Sequence, residues 1–353
     1  MSSPRRIDVH FHLIPQFYKD AVYDSGGGPA IGRYPEWSPE RALELMDANG
    51  IEVALTSLAQ PGVQFGNRQK SCALARRCND YAAELNARWP RRFGGFGTVP
   101  MWEMREAIAE IDHCYDQLKL NGGCLFASYG GKFLGDRLFD PVLAALNERA
   151  AVVFIHPALH PSSRDLDLPW PGFMMEYLFD TTRAVVNLVF GGAIERFRRI
   201  RFVLPHAGGL VPYFAWRLSV SPMIDARQPQ LSRAEVYARL KRFWYDTALS
   251  PTAETLACLN EVALPQQIVF GSDWPFANAK VIGEAVKTYE AVTCISPAQR
   301  AAIDRENVLA LFPQFAFHHS SRDRCGGGMP TIRRDANSFI RMNKPLPVTN
   351  HEF

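Results

Sequence analysis

At 353 residues with 47% hydrophobic and 21% charged content, the chain has the apolar material for a large core and an ordinary globular balance. A formal charge of +3, with no Lys/Arg run longer than a pair, points away from nucleic-acid binding. No stretch approaches the roughly 18 apolar residues of a membrane span. Met1 to Arg6 carries no apolar signal core, and seven cysteines without a CxxC read as reduced thiols, so a cytoplasmic protein is expected.

In chain order, Ile7 to His12 reads as a first strand, with Asp8, His10 and His12 sharing one face. That polar row fits either a solvated edge or two imidazoles converging on a metal ion. A glycine-rich loop, Ser25-Gly26-Gly27-Gly28-Pro29, follows. Ser38-Pro39 opens a helix that stops at Asn49-Gly50. Ile51 to Leu58 is a second strand, and a long helical pattern from about Arg68 ends at Trp89-Pro90. Phe93 to Val99 is a third strand, followed by a helix from about Trp102 to Leu120. Gly123 to Ser128 makes the fourth strand, with a helix capped at Asp140-Pro141 after it. Ala151 to His156 and Arg201 to His206 are nearly continuous apolar runs, as strands buried on both faces should be. Phe243 to Thr247 and Ile268 to Asp273 complete eight.

Eight strands with helical patterns between them predict an α/β fold, a (β/α)8 TIM barrel over residues 1–313. An open doubly wound sheet is the alternative, but no GxGxxG follows the first strand. Residues 314–353, with Cys325-Gly326-Gly327-Gly328 and the pair His318-His319, lack that rhythm and read as a disordered tail or an arm. In such a barrel, catalytic residues come from the C-terminal ends of strands. His10 and His12 end the first predicted strand, His156 the fifth, His206 the sixth and Asp273 the eighth.

Four segments carry a resemblance: Ile7-Asp8-Val9-His10-Phe11-His12-Leu13-Ile14-Pro15, Phe154-Ile155-His156-Pro157, Pro205-His206-Ala207-Gly208-Gly209 and Gly271-Ser272-Asp273-Trp274-Pro275-Phe276. Together they resemble the amidohydrolase superfamily, and within it the aminocarboxymuconate-semialdehyde decarboxylase branch. The run from Pro35 through Asp136 is similar to the 6-methylsalicylate decarboxylase type. The resemblance implies one divalent metal per chain, zinc first and manganese second, held by His10, His12, His156 and Asp273. It implies His206 and Asp273 as catalytic groups, Phe276 and Trp170 as pocket aromatics, and a homodimer.

Two departures qualify the match. The fourth strand has no lysine, so no carboxylated lysine can bridge two metals. Arg41 is the only arginine near the position of the type enzyme's substrate-binding arginine, with Arg183 and Arg217 as other carboxylate partners. The implied reaction is metal-dependent, non-oxidative decarboxylation of a small salicylate-type aromatic acid, with His206 moving the proton. The rival in the same fold is a hydrolase that uses metal-activated water on a lactone, amide or C–C bond.

Overall fold

A computed structural model gives the structure of the protein and describes residues 5–166 and 169–316. Eight strands form one parallel sheet in chain order: β1 (Arg6–His12), β2 (Ile51–Ser57), β3 (Phe93–Thr98), β4 (Gly122–Phe126), β5 (Val152–His156), β6 (Arg201–Leu204), β7 (Trp244–Asp246) and β8 (Ile268–Val269). Closure is made by the chain just past β8. The amide of Val9 donates to the Phe270 carbonyl at 3.0 Å, that of Asp273 to His10 at 2.8 Å, and that of His12 to Trp274 at 2.7 Å. These bonds return the last strand to the first, so the fold is a (β/α)8 barrel and not an open sheet. Every residue of β1 is buried, which removes the solvated-edge reading of its polar row.

The connecting helices follow the expected stops. α1 (Gln16–Asp24) precedes the glycine-rich loop, and α2 (Pro39–Ala48) starts from Ser38, whose hydroxyl accepts the Arg41 amide at 3.2 Å. α3 (Arg68–Arg88) ends before Trp89-Pro90. α4 (Met104–Asp112) is shorter than expected, because the chain widens into a π turn at His113–Gln117 before β4. α5 (Asp140–Glu148), α6 (Glu176–Phe190), α7 (Val211–Ile224), α8 (Arg233–Leu240), α9 (Ala253–Asn260) and α10 (Ala279–Ala291) complete the outer ring.

At the start of β1, the buried Arg6 guanidinium ties the barrel to its last helices. It donates to Asp304 at 3.1 Å, Glu290 at 2.6 Å and the Asn49 carbonyl at 2.7 Å. Inside, Phe154 stacks on Phe96 at 5.6 Å, and Phe96 meets Phe312 at 5.9 Å. After Pro313 the described residues continue through a short turn, Pro313–Phe315, whose Phe315 is buried. The tail beyond it, with His318-His319 and Cys325 to Gly328, lies outside the described residues. Among the described residues the six cysteines are free, and no helix is long and apolar enough to cross a membrane.

Candidate metal centre

β1 carries His10 and His12 to the barrel mouth, β5 ends on His156, and His206 follows β6 by two residues. Asp273 differs from expectation: β8 ends at Val269, and the aspartate sits four residues further on, held by its bond to His10. His206, Ala207 and Asp273 all adopt left-handed backbone, with φ of 52°, 55° and 65°. Each such non-glycine residue costs on the order of 1–3 kcal/mol and survives only where its surroundings impose it. Here they do, since Asp246 Oδ1 accepts the His206 amide at 2.7 Å. The Asp273 carbonyl in turn accepts the Ala277 amide at 2.9 Å.

The imidazoles are oriented from behind. His10 Nδ1 lies 2.7 Å from Asp246 Oδ2, His156 Nδ1 2.7 Å from the Pro157 carbonyl, and His206 Nδ1 3.2 Å from the Ala248 carbonyl. Each of these partners only accepts, so each Nδ1 carries a proton and each Nε2 faces inward. His12 Nδ1 contacts both the carbonyl and the hydroxyl of Ser57 at 3.2 Å. The Trp37 indole donates to the His12 carbonyl at 2.9 Å, which fixes the strand end.

These inward atoms gather in two triads that share His10. The donors of His10, His12 and His156 lie within 4.8 Å of one another, as do those of His10, His206 and Asp273. Asp273 Oδ1 is 3.1 Å from His12 Nε2 and 3.4 Å from His10 Nε2. The electrostatics favour positive charge at this point. Burial works to lower the His10 pKa, but the Asp246 and Asp273 carboxylates outweigh it and hold the imidazole up at about 10. Burial would raise Asp273, yet the charge on His10 and the close approach of the His10 and His12 rings keep it well below the carboxylate range. Burial lowers His12 and His206, and lowers His156 strongly with help from His12 and His10, so their lone pairs stay free.

The residues fit a metal ion. His10 Nε2 is buried without a hydrogen-bond partner, and its lone pair faces a carboxylate oxygen. Two acceptors that close need a cation between them, either a proton or a metal. Metal–ligand bonds of about 2.0–2.2 Å place neighbouring ligands roughly 3–3.5 Å apart, the spacing that Asp273 shows toward both β1 histidines.

The centre opens onto a cavity of about 320 Å³ lined by His156, His206, Asp273, Phe276, Tyr177 and Gln60, among others. Phe276 lines this cavity, its ring 5.3 Å from that of His12. Trp170 does not. It is 62% exposed and lines a separate surface cleft, because the loop after β5 turns Phe173 and Met174 into the cavity instead. Arg41 lies exposed on α2, and Arg183 and Arg217 are exposed on α6 and α7; none lines the cavity. Asp246, Gln60 and Tyr177 went unnoticed in the sequence.

The profile of the amidohydrolase family matches residues 7–314. The chain belongs to the amidohydrolase family. Among members of known activity, decarboxylase yanB of Aspergillus niger is 34% identical over 326 residues, covering 88% of each chain. The 6-methylsalicylic acid decarboxylase of Penicillium expansum is 32% identical over 314 residues, covering 88% of this amidohydrolase and 96% of that enzyme. The crystal structure of 5-carboxyvanillate decarboxylase LigW from Sphingomonas paucimobilis matches with a TM-score of 0.77 at 26% identity, over 88% of this chain and 99% of that one.

Proposed function

We propose that this amidohydrolase is a metal-dependent, non-oxidative decarboxylase of a small aromatic acid bearing a hydroxyl ortho to the carboxylate. The observation that carries the reading is a donor set for one divalent ion opening onto a mostly apolar cavity that Phe173, Tyr177 and Phe276 help to wall. The similarity to aromatic-acid decarboxylases over nearly nine-tenths of the chain supports it.

His10, His12, His156 and Asp273 would hold the ion, and when bound it would supply Lewis-acid attraction for the substrate's carboxylate and neighbouring hydroxyl. Three imidazoles and one carboxylate suit a borderline ion, zinc first and manganese second. The chain's own groups do the rest. Phe276 and Tyr177, with rings 5.3 Å from His12 and 6.0 Å from His156, wall the ring and exclude water. His206, kept neutral by burial, takes a proton from the substrate hydroxyl or solvent at Nε2 and delivers it to the ring carbon that bears the carboxylate. The C–C bond then breaks, CO2 leaves, and its electron pair restores the aromatic ring, so one proton enters for each CO2 lost.

The test is to incubate the metal-loaded protein with a panel of 2-hydroxybenzoates and measure CO2 and the phenol produced. Turnover of at least one acid supports the reading; none, with lactones or amides cleaved instead, overturns it. A cytoplasmic homodimer completes the proposal. α7 offers an exposed apolar stretch for the second copy, with Tyr213 79%, Trp216 61%, Met223 79% and Ile224 81% exposed.

A further inference from the structure

The cavity wall away from the metal ligands is unusual for a site that takes an acid. Among the described residues lining it there is no lysine or arginine; Arg33, two residues from the lining Ile31, is exposed, as are Arg183 and Arg217. Ala30, Ile31, Phe173, Met174, Leu178 and Leu249 make most of that wall apolar. Its polar groups are Gln60, Tyr177 and Ser250.

Gln60 lies three residues past β2 and Tyr177 in the first turn of α6, so two separate connections bring the pair to the cavity. The Tyr177 hydroxyl donates to Gln60 Oε1 at 3.2 Å. That bond turns Gln60 Oε1 toward Tyr177 and leaves the carboxamide N–H groups to donate. No other hydrogen bond to Gln60 occurs among the described residues.

We infer that the cation-free wall carrying Gln60 restricts the site to monocarboxylic aromatic acids, and that Gln60, held by Tyr177, is the specificity-determining donor that reads an uncharged oxygen on their ring. The ligand class rests on the decarboxylase reading above; the discrimination rests on this wall. A neutral amide donor satisfies a ring hydroxyl or carbonyl oxygen, and the apolar wall takes an alkyl group. A second carboxylate would be desolvated there without a cation to meet it, and an unpaired buried charge is among the costliest things a site can hold. Gln60 acts as the donor and Tyr177 as its positioning residue.

The experiment is titration calorimetry on the metal-loaded protein with pairs of 2-hydroxybenzoates that carry either a methyl or a carboxyl group at the same ring position, over each free position. The methyl member of every pair should bind at least about 100-fold more tightly. Gln60→Arg should shrink that ratio at least about tenfold at one position, through a charge-assisted pair with the added carboxylate, while metal content is unchanged. Gln60→Leu should keep the ratio and weaken hydroxylated ligands. Tyr177→Phe should weaken those ligands too, but not when added to Gln60→Leu, the coupling expected if it acts through Gln60. A carboxyl-substituted acid that binds the wild type as tightly as its methyl counterpart overturns the inference, as does a ratio unmoved by Gln60→Arg. If the acids bind with this discrimination and none loses CO2, the decarboxylase reading fails and Gln60 keeps its role. If mono- and dicarboxylates bind and react alike, the reading holds and the inference fails.

Discussion

Asp246 holds more of the centre in register than any group outside the proposed ligands. One oxygen takes the His10 ring N–H, and the other takes the amides of His206 at 2.7 Å and Ala248 at 3.0 Å. Removing its charge frees the His10 tautomer and the left-handed turn at His206 together. Asp246→Asn is expected to lose about 10–100-fold in metal affinity or activity, the usual effect of removing a partner that orients a ligand. Metal bound at a fixed free-metal concentration, read by elemental analysis, checks this; full occupancy at wild-type affinity with wild-type turnover contradicts it. His206 is separable by the same measurement. His206→Ala should retain its metal while its rate falls about 10²–10⁴-fold, as for a lost acid–base group. Because His206 also lies within ligating reach of the second triad, metal loss in that variant would make it a ligand.

At the scale of elements, the chain between β8 and α10 decides the geometry. A Cβ on Gly271 would lie 2.9 Å from His10 Cβ and 3.2 Å from Asp246 Cβ, so only glycine lets the three segments meet. Gly271→Ala is expected to cost about 1–3 kcal/mol of stability, as overpacking does, and to weaken metal binding with it. Denaturant midpoints alongside metal titration would show both; an unchanged affinity would mean the barrel absorbs the methyl elsewhere.

Asp180 on α6 clamps the loop after β5, accepting from Ser128 at 2.8 Å and from the Ala158 amide at 2.7 Å. Burial, only partly offset by those bonds, raises its pKa to about 6. The folded state therefore keeps a proton that the unfolded chain has lost between about pH 4 and 6. The stability this group contributes is full below its ordinary pKa of 3.8 and lost as pH rises through about 6. Asp180→Asn removes that dependence, so wild type should gain on the variant between pH 7 and pH 5 in urea unfolding. A constant difference would contradict the assignment.

These elements also show what was legible beforehand. β5 and β6 could be read because long apolar runs end in histidine, a pattern that a doubly buried strand ending at an active site requires. Asp246 could not, since its value depends on β7 lying between β6 and β8, where it reaches His10. Trp170 misled because an aromatic in the right loop says nothing of which way the loop turns. Gln60 and Tyr177 become a pair only when the loop after β2 and the start of α6 meet across the mouth.

For the whole molecule, the ligands come from β1, the end of β5 and the segment beyond β8, so an ion would bridge the two sides of the closing seam. Metal binding to the folded state alone should then raise thermal stability with the free-ion concentration, by about 2.7 kcal/mol at one hundred times the dissociation constant. His10→Ala should abolish that response, and a melting temperature indifferent to chelation would contradict a ligand set of this kind. The central claim is that a proton is placed on ring carbon as CO2 departs, with His206 moving it. The most direct measurement is to run turnover of a 2-hydroxybenzoate in D2O and locate deuterium in the phenol by NMR. One deuterium is expected at the carbon the carboxylate vacated, with the same labelling at a much lower rate in His206→Ala. Water consumed, ring positions unlabelled and acid released without CO2 would contradict it.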